Sequence, residues 1–266
     1  MPPLPLPHET HGPIPLVMLH GLFGSGTNFR SVAKRLASDR NVHCLDLRNH
    51  GAAPWDNEHT YPAMAADVIA WLDRMGLKQV DLLGHSMGGK VAMTLALEAP
   101  QRVRRLIVVD IAPVTYAHSL AGYAQAMLDA DLETAKTRRD VDQQLAQTIP
   151  EPGIRSFLLQ NLKPAETGFA WRLHLAALLR HMDAIGAFPD GNGQTYAGDS
   201  LFLHGDRSDY VRREYETAIL SRFPQARLQE VADCGHWIHA EQPEVFIQAV
   251  AAFIAPTKAS PAAPTP

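Results

Sequence analysis

The sequence predicts an α/β protein with a mostly parallel sheet, helices on both faces of the sheet, and a helical segment inserted late in the chain. Two observations support this class. Short apolar runs bounded by turn residues alternate with helical periodicity up to residue 110 and again after residue 198. The 85 or so residues between these regions show mainly helical patterns. Strands separated by helices form parallel sheets through right-handed crossovers, and such sheets are covered on both faces.

The individual elements follow from these patterns. Five predicted strands are largely apolar runs too short for helices, at residues 16–20, 41–47, 80–83, 106–109 and 201–204, and a sixth strand is predicted near 227–231. The predicted helices of the sheet region show an apolar stripe or end at a proline or glycine, at residues 61–75, 87–99, about 211–222 and after Pro243. Within the inserted segment, amphipathic stretches near 117–132 and 169–182 predict further helices.

Composition sets the domain organisation. The chain has 266 residues, with 20% charged and 46% hydrophobic residues, as expected for a globular protein. Of its 20 prolines, six fall in residues 1–15 and four in residues 256–266. We therefore expect a Pro-rich N-terminal tail at 1–15 and a disordered C-terminal tail at 256–266. Between them we expect a core at 16–112 and 199–255, with a helical cap insertion at 113–198.

Charge and hydropathy exclude several functional classes. A net charge of −4 with dispersed basic residues argues against nucleic-acid binding. The N-terminus lacks the basic start and apolar region of a signal peptide, and no apolar run is long enough for membrane insertion. The two cysteines, Cys44 and Cys234, are too few for a disulfide framework. We expect a cytoplasmic, soluble monomer or small homo-oligomer.

The strongest motif is Gly84-His-Ser86-Met-Gly88, a G-x-S-x-G that follows a predicted strand and opens a predicted helix. This context is typical of a nucleophile elbow, in which a tight turn exposes a serine at the carboxyl edge of the sheet. A serine hydroxyl is a weak nucleophile at neutral pH, so a histidine must act as its base. Ser86 is therefore the candidate nucleophile.

His236 is the best candidate for that base among the 13 histidines. It lies on a loop after the last predicted strand and before the last helix, which returns it to the edge where Ser86 lies. His85 adjoins Ser86 but points away from an elbow. His239 forms an H-x-x-H pattern with His236, but no third ligand lies nearby, so we expect no metal site.

Acyl transfer also needs backbone N–H groups that bind the developing oxyanion. The amide of Met87, at the start of the elbow helix, is one candidate. The loop after the first strand, residues 20–24, supplies the second, and Leu22 is the expected donor. The glycines of this loop suggest a nucleotide-binding loop as an alternative, but their spacing is not G-x-G-x-x-G.

Together these segments resemble the α/β-hydrolase superfamily, and more closely the bacterial YbfF-type esterases and their mammalian abhydrolase-domain relatives. The resemblance runs over most of the chain. Its segments include Leu19–Ser25, Asp46–Gly51, Gly84–Lys90, Val109–Val114 and Gly235–Ala240. It implies an α/β-hydrolase fold and a cofactor-free serine carboxylesterase that acts on acyl esters of modest length, and on thioesters as a further possibility. In the inserted segment, His174 stands where these relatives tend to have asparagine.

The acid that orients the histidine has two candidates. In most of the superfamily it lies three residues after the glycine that ends the penultimate strand, which here is Ser208. Asp206 lies near that position but out of phase with it. Asp110 ends the strand after the elbow helix, where the YbfF-type enzymes carry their acid. We favour Asp110 and retain Asp206 as the alternative.

The expected reaction is ester hydrolysis through an acyl-enzyme, in which Ser86, His236 and Asp110 act as a triad. Phe23, Trp237 and Phe157 are expected to line the substrate pocket. The alternatives on the same triad are an acyl-CoA thioesterase, a C–C bond hydrolase and a perhydrolase. A hydrolase-like binding protein without catalysis is a further alternative from a different class.

Overall fold

A computed structural model describes residues 14–117, 119–190 and 193–255. Most of the predicted Pro-rich tail and all of the predicted C-terminal tail lie outside these ranges. The division of the chain into a core and a cap stays a prediction, whereas the predicted α/β class with a mostly parallel sheet is confirmed by the observed sheet.

Six parallel strands form the central sheet. Their bounds are β1 Leu16–Leu19, β2 Val42–Leu45, β3 Val80–His85, β4 Val103–Val109, β7 Ser200–Gly205 and β8 Ala226–Val231. Their order across the sheet is β2-β1-β3-β4-β7-β8. Each predicted strand is present, and β4 starts three residues earlier than the apolar run at 106–109 indicated. The parallel registers bring the carboxyl ends of β3, β4 and β7 side by side.

The helices that connect these strands are α1 Arg30–Leu36, α2 Tyr61–Arg74, α3 Met87–Glu98 and α9 Glu216–Arg222, and two more follow the last strand, α10 Ile238–Glu241 and α11 Pro243–Ile254. The Thr60 hydroxyl caps α2 by accepting the Ala63 N–H, and Pro62 lies in the first turn, where its missing N–H costs nothing. Helix α1 was not predicted. The predicted helix at 211–222 begins only at 216, after a short 3₁₀ turn at Arg213–Tyr215.

Alternate residues of each central strand face opposite sides of the sheet, which gives two buried cores. Val17 and Leu19 pack with α2 and α3, whereas Leu16 and Met18 pack with α1 and α11. Helix α3 is buried on all sides except at its last residue, as expected for a helix between the sheet and other elements. This burial holds the end of α3 that carries Ser86 in a fixed position.

The segment between β4 and β7 contains α4 Ala121–Asp129, α5 Arg138–Leu145, α6 Pro152–Leu159, α7 Leu175–Arg180 and α8 Met182–Gly186. It also contains an antiparallel pair, β5 Leu162–Pro164 and β6 Phe169–Trp171. The predicted helix at 169–182 is therefore wrong over its first six residues, since β6 occupies 169–171 and α7 begins only at Leu175. Phe169 and Trp171 are both apolar in a run too short to distinguish a period of two from a period of 3.6.

Two further findings concern the described residues only. None of their helices is both long enough and apolar enough to cross a lipid bilayer. They also contain no group of three His, Cys, Asp or Glu side chains placed to hold a metal ion. Cys44 is partly buried and Cys234 is buried, both as free thiols, and burial raises the pKa of each to about 11.

Candidate active site

Ser86 occupies a sharp turn between β3 and α3. Its backbone has φ 52° and ψ −120°, a strained conformation for a residue with a side chain. Its N–H donates to the Val109 carbonyl at 3.0 Å, which ties the turn to the end of β4. The motif glycines permit this geometry, because a Cβ at Gly88 would overlap the backbone carbonyls of Leu19 and His20. The G-x-S-x-G pattern is thus required by close approach of the backbone.

Asp110 follows β4 in a second strained position, with φ 52°. Its carboxylate is fully buried and accepts three hydrogen bonds. One oxygen accepts from His236 Nδ1 at 2.6 Å and from the Ser208 hydroxyl, and the other accepts from the Gly205 N–H at 3.2 Å. A buried carboxylate needs such donors, because an unpaired buried charge is costly. Asp110 is therefore held in one orientation toward His236.

His236 is held in place by contacts on several sides. Its ring stacks on Tyr210 with 4.1 Å between centroids, and its backbone carbonyl is 2.8 Å from His85 Nε2. The Glu241 carboxylate accepts the N–H groups of the two residues that flank His236, Gly235 at 2.8 Å and Trp237 at 3.1 Å. These contacts fix the loop that carries the imidazole.

The bond to Asp110 determines which ring nitrogen of His236 carries the proton. A neutral imidazole that donates from Nδ1 to a carboxylate presents the lone pair of Nε2. Ser86 and His236 line the same cavity. The lone pair of His236 Nε2 is therefore part of the cavity that Ser86 also lines. The arrangement has the groups that a serine hydrolase requires: nucleophile, base and buried acid.

The alternative acid, Asp206, has a different environment. Its two carboxylate oxygens accept the backbone N–H groups of Asp233 and Cys234, each at 3.0 Å. These hydrogen bonds lower the pKa of Asp206. They also tie the end of β7 to the turn after β8. Asp206 therefore stabilises a turn, and the structure places Asp110 against His236.

Hydrogen bonds of two buried histidines, His20 within the loop after β1 and His50 beyond it, hold this loop in place. His20 Nε2 accepts the Leu47 N–H at 3.0 Å, and His50 Nε2 accepts the Phe23 N–H at 3.2 Å. Burial lowers the pKa of both imidazoles, which keeps them neutral and able to accept. Phe23 has φ 60°, and its carbonyl accepts from the Asn161 side chain at 2.7 Å.

These contacts leave the two predicted oxyanion donors available. Among the described residues, no acceptor is hydrogen-bonded to the backbone N–H of Leu22 or of Met87. Met87 is the first residue of α3, where the helix dipole favours negative charge. Leu22 and Ser86 line a common cavity, and Met87 adjoins Ser86 in the chain. The two candidate donors thus belong to residues that line the cavities at Ser86.

Ser86 lies where two cavities meet. The smaller, of about 170 Å³, is lined by His236 and by all three predicted pocket residues, Phe23, Phe157 and Trp237. The Phe157 and Trp237 rings are 5.7 Å apart between centroids. The larger, of about 300 Å³, is lined by Met87 and Lys90. A groove of about 1090 Å³ along β2 includes none of these residues.

A family profile described as alpha/beta hydrolase fold matches residues 14–243. The chain belongs to the α/β-hydrolase family. Among its relatives in that family, the sn-1-specific diacylglycerol lipase ABHD11 of Mus musculus is 42% identical over 248 residues, which cover 90% of this chain and 80% of the relative. Esterase YbfF of Escherichia coli is 35% identical, covering 92% and 94% of the two chains.

A solved α/β-hydrolase structure described as a marine microorganism esterase superposes with a TM-score of 0.88 at 35% identity, covering 91% of this chain and 96% of the other. The resemblance that the sequence motifs indicated is therefore confirmed at the level of the family.

Several residues of the site were not predicted from sequence. The Ser208 hydroxyl donates to Asp110, and the Tyr210 ring stacks on His236. The Glu241 carboxylate accepts from the backbone of the loop that carries His236. The only sequence signal was the position of Ser208, where most of the superfamily has its acid. Tyr210 and Glu241 belong to no motif, and only the fold brings them to His236.

Proposed function

We propose that this α/β-hydrolase is a serine carboxylesterase that cleaves esters of short to medium acyl chains through an acyl-enzyme. The protein is an ester-hydrolysing enzyme, as its esterase and lipase relatives over nine-tenths of the chain indicate. The finer assignment rests on one observation above all. The 2.6 Å contact between Asp110 and His236 Nδ1 orients the imidazole of His236. This imidazole lines the same cavity as Ser86, the strained residue that follows β3.

The chemistry follows from these positions. His236 Nε2 takes the proton from the Ser86 hydroxyl, and the Ser86 oxygen forms a bond to the ester carbonyl carbon. The resulting oxyanion is stabilised by the N–H groups of Leu22 and Met87. When the tetrahedral intermediate collapses, the carbon–oxygen bond to the alcohol breaks and His236 returns the proton to the leaving oxygen.

The second half of the reaction uses the same groups. Water gives a proton to His236 Nε2 and attacks the acyl carbon, and the bond to Ser86 breaks as the proton returns to the serine oxygen. The imidazolium that forms in each half faces the Asp110 carboxylate, which stabilises its charge. Apart from the ester and water, which react, every group in this cycle is a protein side chain or backbone amide.

Substrate binding is proposed for the aromatic residues of the smaller cavity. Phe23, Phe157 and Trp237 offer an apolar surface beside His236, and Trp237 also follows the catalytic histidine in the chain. Apolar cavities bind acyl or alkyl groups by removing their surface from water. Small-molecule acyl esters are the proposed substrates, and acyl thioesters are an alternative that the same groups would cleave.

The test compares the wild-type protein with the Ser86→Ala variant on p-nitrophenyl esters and acyl-CoA thioesters of increasing chain length. Removal of the nucleophile should abolish turnover of every substrate while the circular dichroism spectrum stays unchanged. The preferred series and chain length then identify the substrate class. Ester turnover retained by Ser86→Ala would overturn the proposal.

A further inference from the structure

Lys90 is a buried cation one helical turn after Ser86. Its side chain is 1% exposed, and it lies on α3, the helix that begins with Met87. Its ammonium group contacts four backbone carbonyls, those of Ala187 at 2.7 Å, Gly186 at 2.8 Å, Val114 at 3.1 Å and Ile185 at 3.5 Å. An ammonium has three N–H donors, so these carbonyls use all of them. Lys90 has no donor left for a substrate.

The four carbonyls come from near both ends of the segment that joins β4 to β7. Val114 follows β4 closely, Ile185 and Gly186 end α8, and Ala187 follows that helix. The Tyr61 hydroxyl, at the start of α2, donates to the Ile185 carbonyl at 2.6 Å. The Lys90 ammonium lies over the Tyr61 and Tyr116 rings, 5.7 and 4.8 Å from their centroids. One side chain thus ties the start and the end of this segment to the Ser86 helix.

The same residues form a wall of the larger cavity beside Ser86. Lys90, Tyr61, Tyr116, Ile185 and Gly186 all line that cavity of about 300 Å³. The wall extends to the catalytic histidine, because the Tyr116 hydroxyl donates to the Tyr210 carbonyl at 2.6 Å. The Tyr210 ring in turn stacks on His236.

Stability alone is a poor explanation for a lysine at this place. Burial without a carboxylate partner penalises its charged form and lowers the pKa of Lys90 to about 7. No carboxylate among the described residues forms an ion pair with it. An apolar side chain of similar length would avoid this cost, but it would leave the carbonyls of residues 114 and 185–187 without their donor.

We propose that Lys90 is a positioning residue that determines substrate specificity by holding both ends of the β4–β7 segment as the wall of the larger cavity. This inference rests on the proposed esterase function. The two cavities share Leu22, Leu120 and Tyr210 as well as Ser86, so a long acyl chain bound against the aromatic residues of the smaller cavity also reaches the larger one. Loss of the ammonium group should therefore change which esters fit, while the chemistry at Ser86, His236 and Asp110 continues.

The experiment uses Lys90→Met, which keeps the length of the side chain and removes the donors. The matched control is Lys163→Ala, an exposed lysine in β5 of the same segment. KM and kcat are measured with p-nitrophenyl acetate and p-nitrophenyl octanoate. We expect Lys90→Met to raise KM for octanoate about tenfold, the order expected when charge-assisted hydrogen bonds are lost, and to change kcat for acetate less than about twofold. The control should match the wild type.

Chemical rescue separates the role of the ammonium from general packing. In Lys90→Ala the carbonyls surround space that ethylammonium can enter. Ethylammonium chloride should lower the octanoate KM of this variant toward the wild-type value, whereas equal concentrations of sodium chloride should not. No rescue, unchanged KM in Lys90→Met, or an equal loss of kcat on both esters would overturn the proposal. So would failure of both variants to fold, because Lys90 would then serve folding instead of specificity.

These outcomes are independent of the test of the esterase function. Retained turnover in Ser86→Ala overturns the proposed function whatever Lys90 does. An inactive Ser86→Ala together with a wild-type substrate profile in Lys90→Met overturns only the inference about Lys90.

Discussion

Replacement of Asp110 by asparagine tests the proposed acid at a single position. The substitution keeps the size of the side chain but turns one carboxylate oxygen into an NH₂ group. The oxygen that faces His236 also accepts from the Ser208 hydroxyl, whereas the other oxygen accepts from the Gly205 backbone N–H. A backbone N–H can only donate, but the hydroxyl and the imidazole nitrogen can also accept, so the NH₂ group should take the position that faces His236. An amide that meets His236 with its NH₂ group favours the tautomer with hydrogen on Nε2. That tautomer has no lone pair on Nε2, so it cannot take the Ser86 proton.

The expected loss in kcat is about 10⁴-fold, the size seen when a triad carboxylate becomes an amide. If the amide oxygen faces His236 instead, the Gly205 N–H loses its acceptor at a cost of about 1–3 kcal/mol in the free energy of unfolding. The assay is therefore kcat on p-nitrophenyl butyrate, measured below the melting temperature of the variant. Thermal unfolding checks that the protein is folded.

Asp206→Asn is the matched control, because Asp206 also accepts two backbone N–H groups but does not contact His236. It should lower the stability only slightly, with kcat changed less than about threefold. A large loss in Asp206→Asn together with near wild-type turnover in Asp110→Asn would refute the assignment of the acid.

Two further substitutions and a change of pH should give measurable effects. Glu241→Ala frees the N–H groups beside His236 and should lower kcat about tenfold with little change in KM, and a pure KM effect would argue against it. Phe157→Ala should raise KM about tenfold for octanoyl but not acetyl esters, and equal effects on both would contradict a role in binding. Acid should destabilise the protein. Burial lowers the pKa of His59 and His239 to about 4, below the unfolded value of 6.5. The unfolded chain then binds protons first as pH falls from 6.5 toward 4, at about 1.4 kcal/mol per histidine per pH unit. Urea unfolding at pH 7.5 and 5.5 measures this, and equal stabilities would contradict it.

The sheet and the principal site residues could be predicted because their signals are local. Largely apolar runs of four to seven residues mark five of the six strands of the sheet, and the strand ends place Ser86 and Asp110 at one edge. The placement of His236 needed only the order of strand, loop and helix. These inferences use short stretches of chain and the geometry of parallel sheets.

The elements that were missed lack such signals. Helix α1 has seven residues and follows a 3₁₀ turn, so its apolar stripe reduces to Val32 and Leu36. The β5–β6 pair has three residues in each strand, too few for a reliable period. Short elements take their conformation from tertiary contacts, which a single sequence does not display.

The supporting residues of the site were missed for a related reason. Ser208 lies 98 residues from Asp110 in the chain, and Tyr210 lies 26 residues from His236. Their types are common in loops, and only packing at the sheet edge gives them a role. The four carbonyls around Lys90 come from backbone, which no side-chain motif reveals.

The proposed mechanism requires that Ser86 becomes covalently acylated during turnover. The most direct measurement is intact mass spectrometry of the protein after reaction with a fluorophosphonate probe, followed by peptide mapping. The wild-type protein should gain one adduct, located at Ser86, and Ser86→Ala should gain none. An adduct at another residue, or no adduct on an active wild-type protein, would contradict the proposed mechanism.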